Sequence, residues 1–109
     1  MLPKHRRLSA AEVSEVIAQG RSVRGTLLSI KYVAAQGLFR VAVVAPKSLA
    51  RKATERNRLR RALYAALESL PSEVSFPASK TVFFVRAIPH SPMVPALRED
   101  LRLLAKKLS

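Results

Sequence analysis

Leu59, Ala62, Leu63, Ala66, Leu67 and Leu70 recur at the i, i+3, i+4, i+7, i+8, i+11 spacing of one helical face, and Pro71 ends the run. A helix over roughly 53 to 70 gains most of its stability from laying such a stripe against another apolar surface. The flanking segments offer one. "LFRVAVVA" (38–45) is almost wholly apolar and reads as a central strand, and "KTVFFVRAI" (80–88) reads as a buried strand that "PHSP" breaks. "TLLSIKYV" (26–33) roughly alternates, with Leu28, Ile30 and Tyr32 on one side and Ser29 and Lys31 on the other. The "AAQG" after it is short enough for a hairpin to 38–45, and "RSV" before it adds a brief edge strand.

Helices close both ends of the chain. In "LSAAEVSEVIAQG", Ser9 is placed to cap, Glu12 completes a capping box, Leu8 is placed to staple onto Val13, and Gly20 is a natural stop. Val13, Val16 and Ile17 form a short apolar face. The last helix, from about 92 or 95 to 108, buries Val94, Leu97, Leu101, Leu104 and Leu108. The sum is one α+β domain over residues 1–109, with "PSEVSFPASK" as its flexible loop.

A chain of 109 residues buries roughly two-thirds of its unfolded surface around a single core. It has no cysteine, which excludes disulfides and thiolate metal sites. No stretch is long and apolar enough to span a bilayer, and no apolar segment follows the basic N-terminus as a signal peptide requires. A cytoplasmic protein is the expectation.

Charge narrows the function. Twenty Lys and Arg against seven Asp and Glu give +13, an excess that calls for a polyanionic partner. Anionic membrane competes with nucleic acid here, and the folded α+β pattern favours nucleic acid. The leucines of "LRLLAKKLS", the one candidate membrane anchor, are needed for the core. RNA is favoured over DNA because no recognition-helix motif is present, and such domains more often hold folded RNA by shape and phosphate.

The excess is also oddly placed. Arg56, Arg58, Arg60 and Arg61 crowd the start of the long helix, and Glu68 lies near its end, against the macrodipole. In the last helix Glu99 and Asp100 come early and Lys106 and Lys107 come last, so the chain is capable of the conventional arrangement. On a helical wheel Arg58, Arg60 and Arg61 fall away from the leucines, with Asn57 near the centre of the polar arc. Arg56 falls at the edge of the stripe and must snorkel or lie in the approach to the helix. Lys47, Arg51 and Lys52 add charge just before. Guanidinium forks around a helix start, whose free N–H groups also bind phosphate, turn each local cost into a gain once a nucleic-acid backbone is bound.

Nothing in the chain reads as catalytic by itself. His5 and His90 are far apart, and each is better read as a phosphate contact or a loop residue than as a general base. Glu99 and Asp100, adjacent on a helix, point about 100° apart and are poorly placed for joint acid–base or metal work. Glu12 and Glu15 are accounted for by capping and solvation.

At "KATERNRLRR" the sequence resembles the protein component of bacterial ribonuclease P. The Arg-Asn-Arg motif, then an apolar residue and a basic pair, is matched by Arg56-Asn57-Arg58-Leu59-Arg60-Arg61. The spacing back through Ala53, Lys52 and Arg51 to Lys47, after "RVAVVAP", is similar too. So are "RL" before the first helix, "GRSVRG" after it, and a final helix after "VFFVRA". The resemblance implies an α-β sandwich in the order αβββαβα, its four-stranded mixed sheet containing a left-handed βαβ crossover through the Arg-Asn-Arg helix. It implies a monomeric subunit that binds a large catalytic RNA through Lys47, Arg51, Lys52, Arg56, Asn57, Arg58, Arg60 and Arg61. A cleft between the sheet and the helices would then hold the single-stranded 5′ leader of precursor tRNA, with hydrolysis by the RNA and Mg²⁺ held mainly by RNA and substrate. Val13, Ile17, Lys31 and Tyr32 are the cleft candidates, and Tyr32 fits the cleft and the core equally well.

The family usually has phenylalanines where this chain has Val13 and Ile17, so leader contacts there are weaker or purely apolar. Pro46 and Ser48 thin the positive strip beside Lys47. A ribosomal-type protein that binds RNA without any cleavage activity is the alternative reading.

Overall fold

The computed structural model describes residues 6–108. Its elements run α1 (Ala10–Gln19), β1 (Arg21–Arg24), β2 (Leu28–Ala34), β3 (Phe39–Val44), α2 (Ala53–Glu68), β4 (Ser79–Val85) and α3 (Met93–Leu108). The first helix begins as its sequence predicts. The Ser9 hydroxyl accepts the Glu12 N–H at 3.2 Å, and the Ser9 N–H reaches back to Glu12 Oε1 at 3.0 Å. At the other end a Cβ on Gly20 would lie 2.5 Å from the Val16 carbonyl oxygen and 3.1 Å from the Tyr32 nitrogen, so only glycine allows this approach to β2.

The sheet order is β1-β2-β4-β3. β1 with β2 and β2 with β4 are antiparallel, and β3 with β4 is parallel. Two sequence expectations change here. β2 and β3 do not form a hairpin: Ala34 and Phe39 both pair with Ser79, so the 35–38 connection arches over the incoming end of β4. The Ala35 N–H donates to the Ala78 carbonyl at 3.3 Å, and Gly37 takes the positive φ of 94° that the arch requires. β3 is therefore an edge strand and β4 the central one. The apolar residues of β3 serve the core face, where Val41 is buried and Phe39 and Val43 pack partly buried, and its outer edge meets the N-terminal segment through an Arg7–Val41 bridge and a Leu8 N–H to Val41 carbonyl bond of 2.9 Å.

Strand alternation sorts residues onto two unlike faces. Leu28, Ile30, Val41, Phe83 and Val85 point into the core, where Leu59, Leu63 and Ala66 of α2 and Leu97, Leu101 and Leu104 of α3 meet them. Val94 and Leu108 are only partly buried against it. The opposite face, through Lys31, Lys80, Val82 and Arg40, takes α1. Val16 and Val82 are fully buried there, outside the main core. The 71–78 segment, expected to be flexible, is pinned by Phe76. Its ring stacks on Phe39 at 4.9 Å and meets Phe83 edge-on at 5.8 Å.

Asp100 proves to be a structural residue, not an early-turn charge. It is 3% exposed in the middle of α3. Its carboxylate accepts the N–H groups of Thr26 (2.8 Å), Leu27 (3.1 Å) and Leu28 (2.9 Å), holding the chain where it enters β2. A Cβ on Gly25 would come within 2.6 Å of that carboxylate. Hydrogen bonds to charged groups contribute about 1.5–3 kcal/mol each, and orphaned buried donors cost about as much again. Asp100→Asn turns an amide N–H toward N–H donors and is expected to destabilise the chain by at least about 2 kcal/mol in urea denaturation. Glu99→Gln, on the exposed side of the same helix, is expected to stay within about 0.5 kcal/mol. Equal effects of the two substitutions would remove this role from Asp100.

Candidate nucleic-acid interface

Pro46 turns the chain sharply out of β3, its carbonyl accepting the N–H groups of Leu49 (3.1 Å) and Ala50 (3.2 Å). Ala45 and Ala50 are buried, which leaves Lys47 exposed at the tip. Lys52 then occupies the N-cap of α2 with no side-chain capping bond. The first-turn N–H groups consequently lack the usual Ser, Thr, Asn or Asp partner.

The α2 cations divide by what they touch. Arg56 is half-buried and donates from Nη1 to the carbonyls of Ala50 (3.1 Å) and Arg51 (2.8 Å), holding the approach to the helix. Arg60 is half-buried on one flank, where its Nη2 donates to Asn57 Oδ1. Tyr64 lies beside it: burial pushes its hydroxyl pKa up, while Arg7 and Arg60 pull it down. Arg58 lies on the other flank, over a recess that includes Leu59, Ile88 and Met93. Arg58, Arg61, Lys47, Arg51 and Lys52 are all exposed, and among the described residues no ion pair or hydrogen bond engages their side chains.

The α1 side of the sheet is different. Glu12 forks onto Arg40 at 2.6 and 2.8 Å, Lys80 bonds Glu15 at 3.1 Å, and Lys31 Nζ donates to the Ile17 carbonyl at 3.1 Å. α1 thus crosses the sheet from β3 and β4 toward β2, covering the Arg40–Lys80 end and Val82 at the middle and leaving the Ser29–Phe84–Val44 end open. Ile17 (42% exposed) and Lys31 meet at its rim, and Val13, one turn earlier, is half-buried. Tyr32 is not with them. Its parity sends it to the opposite face, where it packs against the main core, so it cannot line this surface.

The aromatic residue on the open end is Phe84, half-buried on the α1 side, with the Arg86 guanidinium 5.2 Å from its ring centre. Sequence reasoning missed it because "TVFFV" reads as continuous core. The signal lay in the alternation of β4 from Lys80, a charged residue that marks the non-core parity. His90 is exposed, the Asp100 carboxylate accepts backbone N–H groups, and His5 lies outside the described residues. Among the described residues no group of three or more His, Cys, Asp or Glu could hold a metal ion, and no helix is long and apolar enough to cross a membrane.

The family model for ribonuclease P matches residues 2–109. The chain belongs to the bacterial ribonuclease P protein family. It is accordingly a component of the ribonuclease P ribonucleoprotein, an endoribonuclease, and the family's RNA is its partner. No curated protein matches the chain. Among solved structures, the ribonuclease P protein of Thermotoga maritima superposes with a TM-score of 0.79 at 19% identity, over 94% of this chain and 97% of that one. A ribonuclease P protein mutant of Staphylococcus aureus, described as defective in mRNA degradation activity, gives 0.78 at 19% identity over 95% and 88%. Another S. aureus ribonuclease P protein gives 0.74 at 18% identity over 99% and 92%. At these identities the likeness establishes the ribonuclease P protein fold, in the αβββαβα order seen here.

In this member of the family the Glu12–Arg40 fork ties α1 to the sheet, and the Arg40 bonds, then the Ser9 N–H, hold the Glu12 carboxyl down at about 2 from 4.5. A depressed carboxylate pKa stabilises the fold fully above pH 4.5, and that contribution is lost as the pH falls toward 2. Glu12→Gln is expected to be less stable than the native chain by a constant margin above pH 4.5, with the gap closing between pH 4.5 and 2. A gap independent of pH over that window, followed by chemical denaturation, would show that Glu12 is not held by charge.

Proposed function

We propose that the chain grips the catalytic RNA of ribonuclease P at the start of α2 and holds the 5′ leader of precursor tRNA along the α1 side of the sheet. Support comes from the exposed cations Lys47, Arg51, Lys52 and Arg58, unpaired among the described residues, around a helix start without a side-chain cap, with Arg61 one turn further along α2. In the free protein the charges nearest the N-cap, Arg51 and Lys52, oppose the macrodipole; with phosphate present the cations and the first-turn N–H groups become ligands. Arg60 and Asn57 extend this surface, and Arg56 shapes it from beneath.

Strand register supports the second half of the reading. Val44 pairs with Phe84, so the turn through Lys47 leaves the sheet at the end that α1 leaves open. A strand held along Ile17 and Lys31 toward Phe84 would run to the RNA-binding end without crossing a helix. The chain supplies cations and apolar surface to this assembly, and the Mg²⁺ that hydrolysis uses is assigned to RNA and substrate.

Arg58→Ala and Arg61→Ala remove unpaired, exposed side chains and add the better helix former, so each is expected to leave the melting temperature unchanged or slightly raised. Each is also expected to weaken binding to a bacterial ribonuclease P RNA. Every lost phosphate contact should flatten the log–log salt dependence by roughly 0.7–0.9. Arg56→Ala loses two bonds to backbone carbonyls and is expected to cost about 1 kcal/mol of stability. Early melting and an unchanged salt slope for the Arg58 and Arg61 variants would make those side chains structural and sink the proposal.

A further inference from the structure

At the end of the sheet that α1 leaves open, β1, β2 and β4 enclose a shallow recess of about 280 Å³. Phe84 and Ser29 line it, and Arg24, Lys31 and Arg86 supply charge. No Asp or Glu is among its lining residues. Among the described residues the Arg86 side chain makes one hydrogen bond, from its Nε to the Ser29 hydroxyl at 2.7 Å, which leaves the rest of an exposed guanidinium over the Phe84 ring. Ser29 is itself only 8% exposed, so the arginine is anchored on a nearly buried partner.

Each part has a bland reading, and together they have a sharper one. A half-exposed ring is ordinary on a sheet surface. A ring with a guanidinium poised beside it, hydroxyl and ammonium groups around it and no acid to neutralise them suits one unpaired nucleotide. The base would lie on Phe84 with Arg86 covering or flanking it, and the adjoining phosphate would meet Arg24 and Lys31.

We infer that Phe84 and Arg86 form a single-nucleotide stacking subsite, which in this chain takes over the stacking that Val13 and Ile17 of α1 cannot supply. The inference rests on the reading that the α1 side of the sheet holds the leader. Stacking is sequence-tolerant because every base has a π-face, so the subsite fixes the position of a base more than its identity. The site faces away from α2, and its occupant is a leader nucleotide rather than one from the catalytic RNA.

The test uses protein reconstituted with a bacterial ribonuclease P RNA, titrated with precursor tRNA carrying a full leader and with mature tRNA. Phe84→Leu is expected to weaken the leader-bearing substrate about five- to tenfold and leave mature tRNA unchanged, and Phe84→Tyr, which keeps the ring, is expected to retain native binding. Arg86→Gln should lose a smaller factor on the same substrate only. Abasic substitutions walked along the leader should find one position whose loss costs the native protein the same factor and the Phe84→Leu protein nothing further. Thermal melts of the variants establish that they fold, and the Phe84→Tyr variant and the abasic series report on the ring even if the Phe84→Leu substitution were poorly tolerated.

Val13→Phe separates the inference from the reading beneath it. If it tightens leader-bearing substrate alone while Phe84→Leu and Arg86→Gln change nothing, the leader lies in the cleft and the Phe84 subsite is wrong. If Phe84→Leu weakens both substrates equally, the occupant is not the leader and the inference also fails. If the native protein itself binds both substrates equally, the cleft reading fails first and takes the subsite with it.

Discussion

Every layer of the molecule depends on β4 lying between β2 and β3. Among the described residues its ladder is the only strand pairing that links the β1–β2 half of the sheet to β3. Phe83 and Val85 reach into the core shared with α2 and α3, while Val82 lies fully buried on the α1 side. β4 must enter beneath the 35–38 arch, and Phe76, stacked on Phe39, fixes the segment that delivers it. The parallel β3–β4 pairing also dictates where α2 goes. A parallel crossover must travel back along the sheet, so α2 begins at the carboxyl end of β3, the end that α1 leaves bare.

That geometry explains how a chain of net charge +13 stays folded while the cations at the start of α2 are left without carboxylate partners among the described residues. Four of the seven acids are committed elsewhere. Glu12 and Glu15 hold Arg40 and Lys80 under α1, Asp100 holds the start of β2, and Glu99 lies near Arg102 on α3. Only Glu55 shares the first turn of α2. Glu12 and Glu15 thus serve the fold at the far end of the sheet and Asp100 is buried against backbone at the near end, while among the described residues Lys47, Arg51, Lys52 and Arg58 remain unpaired where α2 begins.

Much of this was legible in the residues. The Ser9–Glu12 capping box, the leucine stripe of α2 and the position of Arg56 follow from spacing alone. The strand pairing did not, because a short connection like 35–38 reads as a hairpin when nothing local reports a third strand inserted between its arms. The edge position of β3 was hidden for a related reason: apolar continuity reports covered faces, not paired edges. Asp100 was misread because a carboxylate near a helix start invites a dipole argument, whereas its partners lie more than seventy residues away in sequence. Tyr32 stayed open between cleft and core, and Phe84 read as core, because one residue of register decides which face a strand side chain joins. The handedness of the crossover had no signal in the pattern and entered only with the family resemblance.

The central claim is a division of labour in which this chain positions RNA and the RNA performs the cleavage. Cleavage of precursor tRNA at limiting Mg²⁺ tests it most directly, measured for the protein alone, a bacterial ribonuclease P RNA alone, and the two combined. The account predicts no cutting by rigorously RNA-free protein, little by the RNA alone at that Mg²⁺ concentration, and efficient 5′ maturation by the combination. Mg²⁺-dependent cutting by the protein alone, or a combination no more active than the RNA, would contradict it.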